Sequence, residues 1–229
     1  MLLFLAILPT VVLVTYVYRK DKIEKEPASL LWNLFFLGAL TVVSAIVIGA
    51  LGDFLFEDIA DPDSLAWLAI DNFLLTALVE EGGKYFVLKK RTWKSPEFDY
   101  VFDAVVYAVV VSLGFATLEN ILYVMDGGLE TAIMRALLSV PGHAIDGVFM
   151  GCFYGMAKRH DAAGNKRGRK KNLRRALWAP TLIHGFYDFC LSVEDDGTFI
   201  MIFFVFEIIV TVWAFRKVRK MSREDAPVA

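Results

Sequence analysis

Seven long apolar stretches, separated by short charged segments, constrain this chain more than any other feature of its sequence. Each is close to the roughly 20 apolar residues that a helix needs to cross a bilayer. The hydrophobic content of 57% also exceeds the roughly 45–50% of soluble domains. The sequence therefore predicts an all-α integral membrane protein, a bundle of about seven transmembrane helices in one membrane domain over residues 1–229. The predicted spans are 2–18, 29–52, 65–88, 99–124, 132–157, 176–192 and 198–215.

Basic residues lie on alternate sides of these spans. Of the 24 lysines and arginines, four lie in the segment 19–28, four in 89–98, nine in 158–175 and five in the tail after residue 215. The other connections hold none and carry acidic residues instead; they are 53–64, 125–131 and 193–197. Because basic loops stay in the cytoplasm, this split predicts an outside N-terminus, a cytoplasmic C-terminus and a basic cytoplasmic loop at 158–175. The basic runs border apolar spans, so they do not indicate nucleic-acid binding.

Four glutamates and two histidines lie inside the apolar spans, where a charge is costly and needs a partner or a function. Because they fall on several spans, we expect them to meet in one polar site. Glu207 is the exception, since it is expected to be structural and to pair with Arg135 or with another span. The six are Glu80, Glu81, Glu119, His143, His184 and Glu207.

The segment from Glu80 to Lys84 predicts either a catalytic carboxylate or a structural ion pair. Glu80 and Lys84 are four residues apart and share a helix face, so they can pair. Beside Lys84, Glu80 can be a general base. The alternative is a pair that only stabilises the helix near the interface. The second carboxylate, Glu81, points about 100° away and favours the catalytic interpretation.

The two histidines inside the spans each follow a proline closely. Pro141 lies just before His143, and Pro180 lies one turn before His184. A proline removes a helix hydrogen bond, and irregular backbone within a membrane lines a wet cavity or lies buried in protein. We therefore expect both histidines to share one cavity. Asp188, four residues after His184, shares its helix face and would fix the orientation of its ring.

The small residues of the spans predict packing rather than chemistry. Gly147, Gly151 and Gly155 recur every four residues, which makes a smooth ridge for a neighbouring helix. Cys152 and Cys190 lie in different spans and indicate neither a disulfide nor a cysteine zinc site.

Taken together, these motifs resemble those of the PrsW family of membrane proteases, which is grouped with the CAAX prenyl-endopeptidases and the bacteriocin-processing proteases. The family motifs EExxK, FxxxE and HxxxD correspond to Glu80–Lys84, Phe115–Glu119 and His184–Asp188, and His143 fits the intervening span. The resemblance covers about residues 70–190. It implies hydrolysis of a peptide bond in a membrane-bound protein substrate, such as an anti-sigma factor, in a prokaryotic cell membrane.

The resemblance implies seven catalytic residues and leaves two mechanisms open. In the first, a zinc ion is held by Glu119, His143 and His184, and one glutamate of the pair is the general base. In the second, Glu80 activates water without a metal, and the two histidines stabilise the oxyanion. The predicted catalytic residues are Glu80, Glu81, Lys84, Glu119, His143, His184 and Asp188.

The predicted depths of two carboxylates present a difficulty for either mechanism. From the predicted span ends, Glu80 and Glu119 would lie more than about 10 Å apart along the membrane normal.

Two further classes of protein also stay open: a non-catalytic membrane scaffold with a protease-like helical core, and a proton or ion transporter. No inverted repeat favours the transporter, and a scaffold would tolerate the loss of one glutamate of the pair.

Overall fold

The computed structural model describes residues 1–56 and 61–229, and this part of the chain is built from helices. Its only extended pairing is one antiparallel bridge between Tyr100 and Pro227. The predicted all-α fold is therefore confirmed. Residues 57–60 of the predicted connection 53–64 lie outside the described residues. In chain order the elements are α1 (Leu2–Lys20), α2 (Ala28–Phe56), α3 (Leu65–Ile70), a π-helix (Asp71–Ala77), α4 (Leu78–Thr92), α5 (Asp103–Leu137), α6 (Ser139–Ala162), α7 (Lys166–Ser192) and α8 (Thr198–Arg223).

Four helical stretches of the described chain are long and apolar enough to cross a membrane. The longest of them covers most of the predicted span 99–124 and all of the predicted span 132–157. The predicted spans 65–88 and 176–192 lie on helices that carry more charge. The total of seven crossings and the orientation stay predictions. The four stretches are Leu2–Lys20, Ala28–Phe56, Asp103–Ala162 and Thr198–Arg223.

The basic segment 158–175 is largely helical, which corrects the predicted loop. Helices α6 and α7 enter it from both sides and leave only residues 163–165 between them. Gly164 has a φ of +68°, a left-handed conformation that suits glycine and ends α6. The side chain of Asn165 then caps α7 by accepting a hydrogen bond of 2.8 Å from the Gly168 amide. Lysine and arginine are good helix formers, so their charge does not by itself indicate a loop.

Helix α5 lies at the centre of the bundle and contacts α1, α2, α4 and α6. Its segment 104–117 is buried along its whole length. Gly151 of α6 packs so closely on α5 that an added Cβ would lie 2.5 Å from the Val105 Cα. Gly147 packs similarly on Val109 of α5, and Gly155 packs on the Val101 carbonyl just before α5. The predicted glycine ridge is thus confirmed.

A sharp turn interrupts α5 at Gly128, whose φ is +75°. After this turn the chain folds back, since Arg135 donates hydrogen bonds to Glu119 and Asn120. In a straight helix, Arg135 would lie about 24 Å along the axis from Glu119. The turn therefore brings a cation back to the carboxylate of the same helix.

The π-helix precedes the glutamate pair by less than one turn and packs against α7. Gly185 of α7 allows this contact, because an added Cβ would lie 2.5 Å from the ring atom Cδ1 of Phe73. A π-helix winds more widely than an α-helix and is often found at functional sites. Here it sets the rotation at which α4 presents Glu80 and Glu81.

An acidic cluster lies at the end of the bundle where α2 and α5 begin. Glu26, in the segment between α1 and α2, is buried and accepts a hydrogen bond from the Tyr107 hydroxyl. Burial raises the pKa of Glu26 to about 7. It also raises the pKa of Asp21 to about 6. Asp225 of the C-terminal tail lies near Asp21 and accepts a hydrogen bond of 2.9 Å from the Phe102 amide.

Candidate active site

Lys84 is fully buried and lies among the predicted catalytic residues. Its Nζ lies 2.7 Å from Glu81 Oε1 and 3.5 Å from Glu80 Oε2. It also lies 3.1 Å from His143 Nδ1 and 3.9 Å above the centre of the Phe115 ring. The predicted pair of Glu80 and Lys84 is present, but Glu81 is the closer partner. Burying these charges together offsets part of the cost of removing each from water.

The two histidines share one cavity, as predicted, with ring centres 5.1 Å apart. In each ring, the Nε2 atom contacts a carboxylate other than those of Glu80 and Glu81. His143 Nε2 lies 3.0 Å from Glu119 Oε2, and His184 Nε2 lies 3.0 Å from Asp188 Oδ2. The Nδ1 atom of His184 faces inward and lies 3.1 Å from Glu81 Oε1. Glu119 and Asp188 thus each hold one ring by its Nε2 atom, and the two rings are nearly perpendicular, with an angle of 80° between their planes.

Four buried side chains bring their N and O atoms within 4.8 Å of one another: Glu80, Glu81, His143 and His184. The distance between the histidine nitrogens is therefore within the reach of a shared ion. Glu81 Oε2 is buried and has no hydrogen-bond partner among the described residues, and Glu80 Oε2 also forms no hydrogen bond but lies 3.5 Å from Lys84 Nζ. Buried carboxylate oxygens are costly to leave unpaired, and a cation would satisfy them. The donor set of carboxylate oxygens and imidazole nitrogens fits zinc.

The structure brings Glu119 to the same cavity as Glu80, although the predicted span ends separated them. Helix α4 ends at Thr92 and α5 begins at Asp103, each four residues later than the predicted ends. Both differences reduce the offset in depth, to about 6 Å. Glu119 is not one of the four clustered residues, however, because its carboxylate contacts Arg135 and the far nitrogen of His143.

The cavity has a volume of about 440 Å³ and lies between α5, α6, α7, α8 and the π-helix. Polar residues of the site form one wall, and Ile200, Phe203 and Phe204 of α8 supply an apolar wall. A concave space in which polar groups converge opposite an apolar wall is typical of a binding site. Asp146 also lines it, with Oδ2 3.8 Å from His184 Nδ1.

Two residues of this cavity have different roles from those that the sequence indicated. Arg135 contacts Glu119 and Asn120, so the predicted pair with Glu207 is wrong. Glu207 lines the cavity and has no ion pair with another described residue. The usable signal for Arg135 in the sequence is its place inside the predicted span 132–157, away from the basic segments. Nothing in the sequence indicated the lining residue Thr76.

Comparison with known proteins identifies the family. Residues 26–214 match the family described as "PrsW family intramembrane metalloprotease". This chain belongs to the PrsW family. It is 38% identical to "Protease PrsW" of Geobacillus kaustophilus over 227 residues, which cover 96% of this chain and 92% of the relative. It is 35% identical to "Protease PrsW" of Bacillus subtilis over 93% of this chain and 92% of the relative. No solved structure matches the chain.

The PrsW family is one of membrane-embedded proteases, so the protein is a hydrolase of peptide bonds. This agrees with the resemblance drawn from the motifs and disfavours the scaffold and the transporter. The match also extends well beyond the motifs, since it begins near the start of α2 and ends within α8.

Proposed function

We propose that this PrsW-family protease uses a zinc ion held by Glu81, His143 and His184, with Glu80 as its general base. The observation that carries the proposal is the buried cluster of two glutamates and two histidines within 4.8 Å. Two histidines and one carboxylate are a known ligand set for catalytic zinc. When bound, zinc acidifies a water molecule and polarises the carbonyl of the scissile bond.

The exposure of the two glutamates supports their different roles. The Glu81 side chain is 0% exposed, whereas the Glu80 side chain is 11% exposed and lines the cavity. Glu80 is therefore the carboxylate that substrate and water reach first. It takes the proton of the attacking water and delivers that proton to the leaving amine. Lys84 balances the charge of the pair at 2.7 and 3.5 Å.

The outer carboxylates act as positioning residues. Glu119 and Asp188 each lie 3.0 Å from the Nε2 atom of a histidine, which directs both Nδ1 atoms inward. A carboxylate on the far nitrogen of a ligand histidine orients the ring and raises its basicity. Glu119, predicted from the sequence as a zinc ligand, takes this positioning role in our proposal.

The proposed substrate is a protein that spans or borders the bilayer, such as a membrane-bound anti-sigma factor. The apolar wall that α8 supplies to the cavity suits a segment drawn from lipid. The relatives named above come from bacteria, which supports a bacterial cell membrane as the location. A cytoplasmic C-terminus and an outside N-terminus are part of this proposal.

Substituting each glutamate in turn distinguishes the proposed general base, Glu80, from the proposed zinc ligand, Glu81. Glu80→Gln, Glu81→Gln and the exposed control Glu130→Gln are purified in parallel, and metal content and cleavage are measured. We expect about one zinc per chain in the wild type, in the control and in Glu80→Gln, with loss of zinc in Glu81→Gln. Cleavage should be lost in both site variants and kept in the control. Cleavage that survives complete removal of metal would instead favour the metal-free mechanism with Glu80 as the base.

A further inference from the structure

We propose that a second cavity, between α2, the π-helix and α5, is a lateral entrance from the lipid and an apolar subsite. It would accept one large apolar side chain of the substrate beside the scissile bond. This inference deepens the proposed protease function and depends on it only for the identity of the occupant. We call the cavity the α2 subsite.

The way in which α2 crosses α5 creates the α2 subsite. At the crossing the two backbones touch: an added Cβ on Gly38 would lie 2.2 Å from the Val111 carbonyl oxygen. An added Cβ on Gly114 would lie 2.1 Å from the Phe35 carbonyl oxygen. Beyond this point the helices separate and leave a cavity of about 210 Å³. Further along α2, a Cβ added at Gly52 would lie 3.3 Å from Cδ1 of Leu75 in the π-helix, so the cavity lies between two contacts of α2 with the bundle.

The α2 wall of this cavity is entirely apolar. It consists of Val42, Ala45, Ile46 and Gly49. A Cβ added at Gly49 would meet nothing within 4 Å, so the space beside it is open. For comparison, an apolar cavity of about 150 Å³ is large enough to hold benzene. The α2 subsite can thus hold a leucine or phenylalanine side chain.

The α2 subsite is continuous with the candidate active site. Four residues line both cavities: Thr76, Glu80, Glu119 and Tyr123. A side chain in the α2 subsite would place its own backbone beside Glu80, the proposed general base. The larger cavity would then hold the chain on the other side of the scissile bond.

The opposite end of the α2 subsite reaches the apolar surface of the bundle. Its rim residues Ile46 and Leu122 are 56% and 47% exposed. No charged residue lies between residues 28 and 52 of α2. A charged segment would have to leave water to enter here, whereas an apolar segment already in the bilayer would not. The occupant that fits is the membrane-spanning segment of a substrate.

Crosslinking tests occupancy without requiring cleavage. The photoreactive residue benzoylphenylalanine is placed at Ile46, which lines the rim of the α2 subsite, or at Val47, which is similarly exposed but does not line the subsite. Each protein is reconstituted with a synthetic membrane-spanning peptide of leucine and alanine. We expect the peptide to crosslink at position 46 at least about tenfold more than at position 47. Equal or absent crosslinking at position 46 would overturn the α2 subsite, whatever the peptide does at the active site.

A matched pair of substitutions tests selectivity. Ala45→Leu fills part of the α2 subsite, whereas Ala50→Leu adds the same atoms to an exposed position of the same helix. Peptides carrying Ala, Leu or Phe beside the cleaved bond are compared by product formation and by crosslinking. Because a pocket discriminates such side chains by about 10–200-fold, Ala45→Leu should reduce use of the Phe peptide relative to the Ala peptide at least about tenfold.

The crosslinking and cleavage measurements together distinguish failure of the α2 subsite from failure of the proposed protease mechanism. If the wild type cleaves the peptides, and Ala45→Leu forms product from the Phe and Ala peptides in the same ratio as the wild type, the α2 subsite is overturned. The proposed protease mechanism is unaffected by that result. Selective crosslinking at Ile46 without cleavage supports the α2 subsite and counts against the proposed mechanism. Ala50→Leu should behave as the wild type in both measurements.

Discussion

At the scale of residues, two carboxylate–histidine pairs have the same geometry. Glu119 and Asp188 lie on different helices, yet each lies 3.0 Å from the Nε2 atom of its histidine. The pair of His184 and Asp188 was predictable, because both residues lie on one face of one helix. The pair of His143 and Glu119 joins two helices, so spacing along the chain could not reveal it. The same limit led the sequence to suggest Glu207 as a partner of Arg135.

The proposed positioning role of Asp188 leads to a prediction about metal affinity. Asp188→Asn keeps the size of the side chain but removes the charge that orients His184. We expect zinc affinity to fall about 10–100-fold, as for other partners of ligand histidines. Competition with a chelator of known affinity measures this. Asp126→Asn, at an exposed position, is the control. Unchanged affinity in Asp188→Asn would exclude the positioning role.

At the scale of elements, the order and class of the helices could be predicted from the sequence, but several ends could not. The basic run at 158–175 is typical of a connection between spans, but lysine and arginine extend helices well, so the charge does not predict where the helices end. The turn at Gly128 lies within a predicted connection. The return of the chain toward Glu119 depends on the contact of Glu119 with Arg135, and these two residues are far apart in sequence. Helix ends thus depend on tertiary partners that hydropathy does not report.

The contact of α5 with α6 predicts a strong effect of a single methyl group. Gly151→Ala would place a Cβ 2.5 Å from the Val105 Cα, and backbone atoms cannot move aside as a side chain would. We expect a loss of about 1–3 kcal/mol in the free energy of unfolding, as for other overpacked cores. Thermal unfolding in detergent measures the change. Gly49→Ala, where an added Cβ meets nothing within 4 Å, should show no such loss.

The buried Glu26 predicts how stability depends on pH. Burial raises its pKa to about 7, so the folded protein favours the neutral form. The unfolded chain loses this proton near pH 4.5, so the stability from Glu26 is complete below that value and declines until about pH 7. The melting temperature of Glu26→Gln should fall less than that of the wild type over this interval. An identical decline in Glu26→Gln and in the exposed control Glu24→Gln would contradict this prediction.

At the scale of the whole molecule, the distribution of basic residues predicts which ends face the cytoplasm. An odd number of crossings would place Ala229 inside and the connection near Asp61 outside. The C-terminal tail pairs with the segment before α5, since Val228 donates a hydrogen bond of 2.7 Å to the Asp99 carbonyl. The tail and that segment therefore lie on the same side of the membrane, as the predicted topology requires.

A pair of reporter fusions tests this arrangement. A reporter that is active only in the cytoplasm should be active when fused at Ala229 and inactive when inserted near Asp61. A reporter that is active only outside should give the reverse result. The opposite outcome at either position would mean that the number of crossings or the orientation is wrong.

The π-helix lets seven residues occupy a stretch of helix that about six would fill with α-helical winding. Without this wider winding, the additional residue would turn the glutamate pair by about 100° relative to the contact of Phe73 with α7. Glu80, Glu81 and Lys84 would all still be present, but they would no longer face His143 and His184. Removal of one residue from Asp71–Ala77 should therefore be absorbed by a return to α-helical winding, whereas adding one residue there would inactivate the enzyme while leaving every recognisable motif intact.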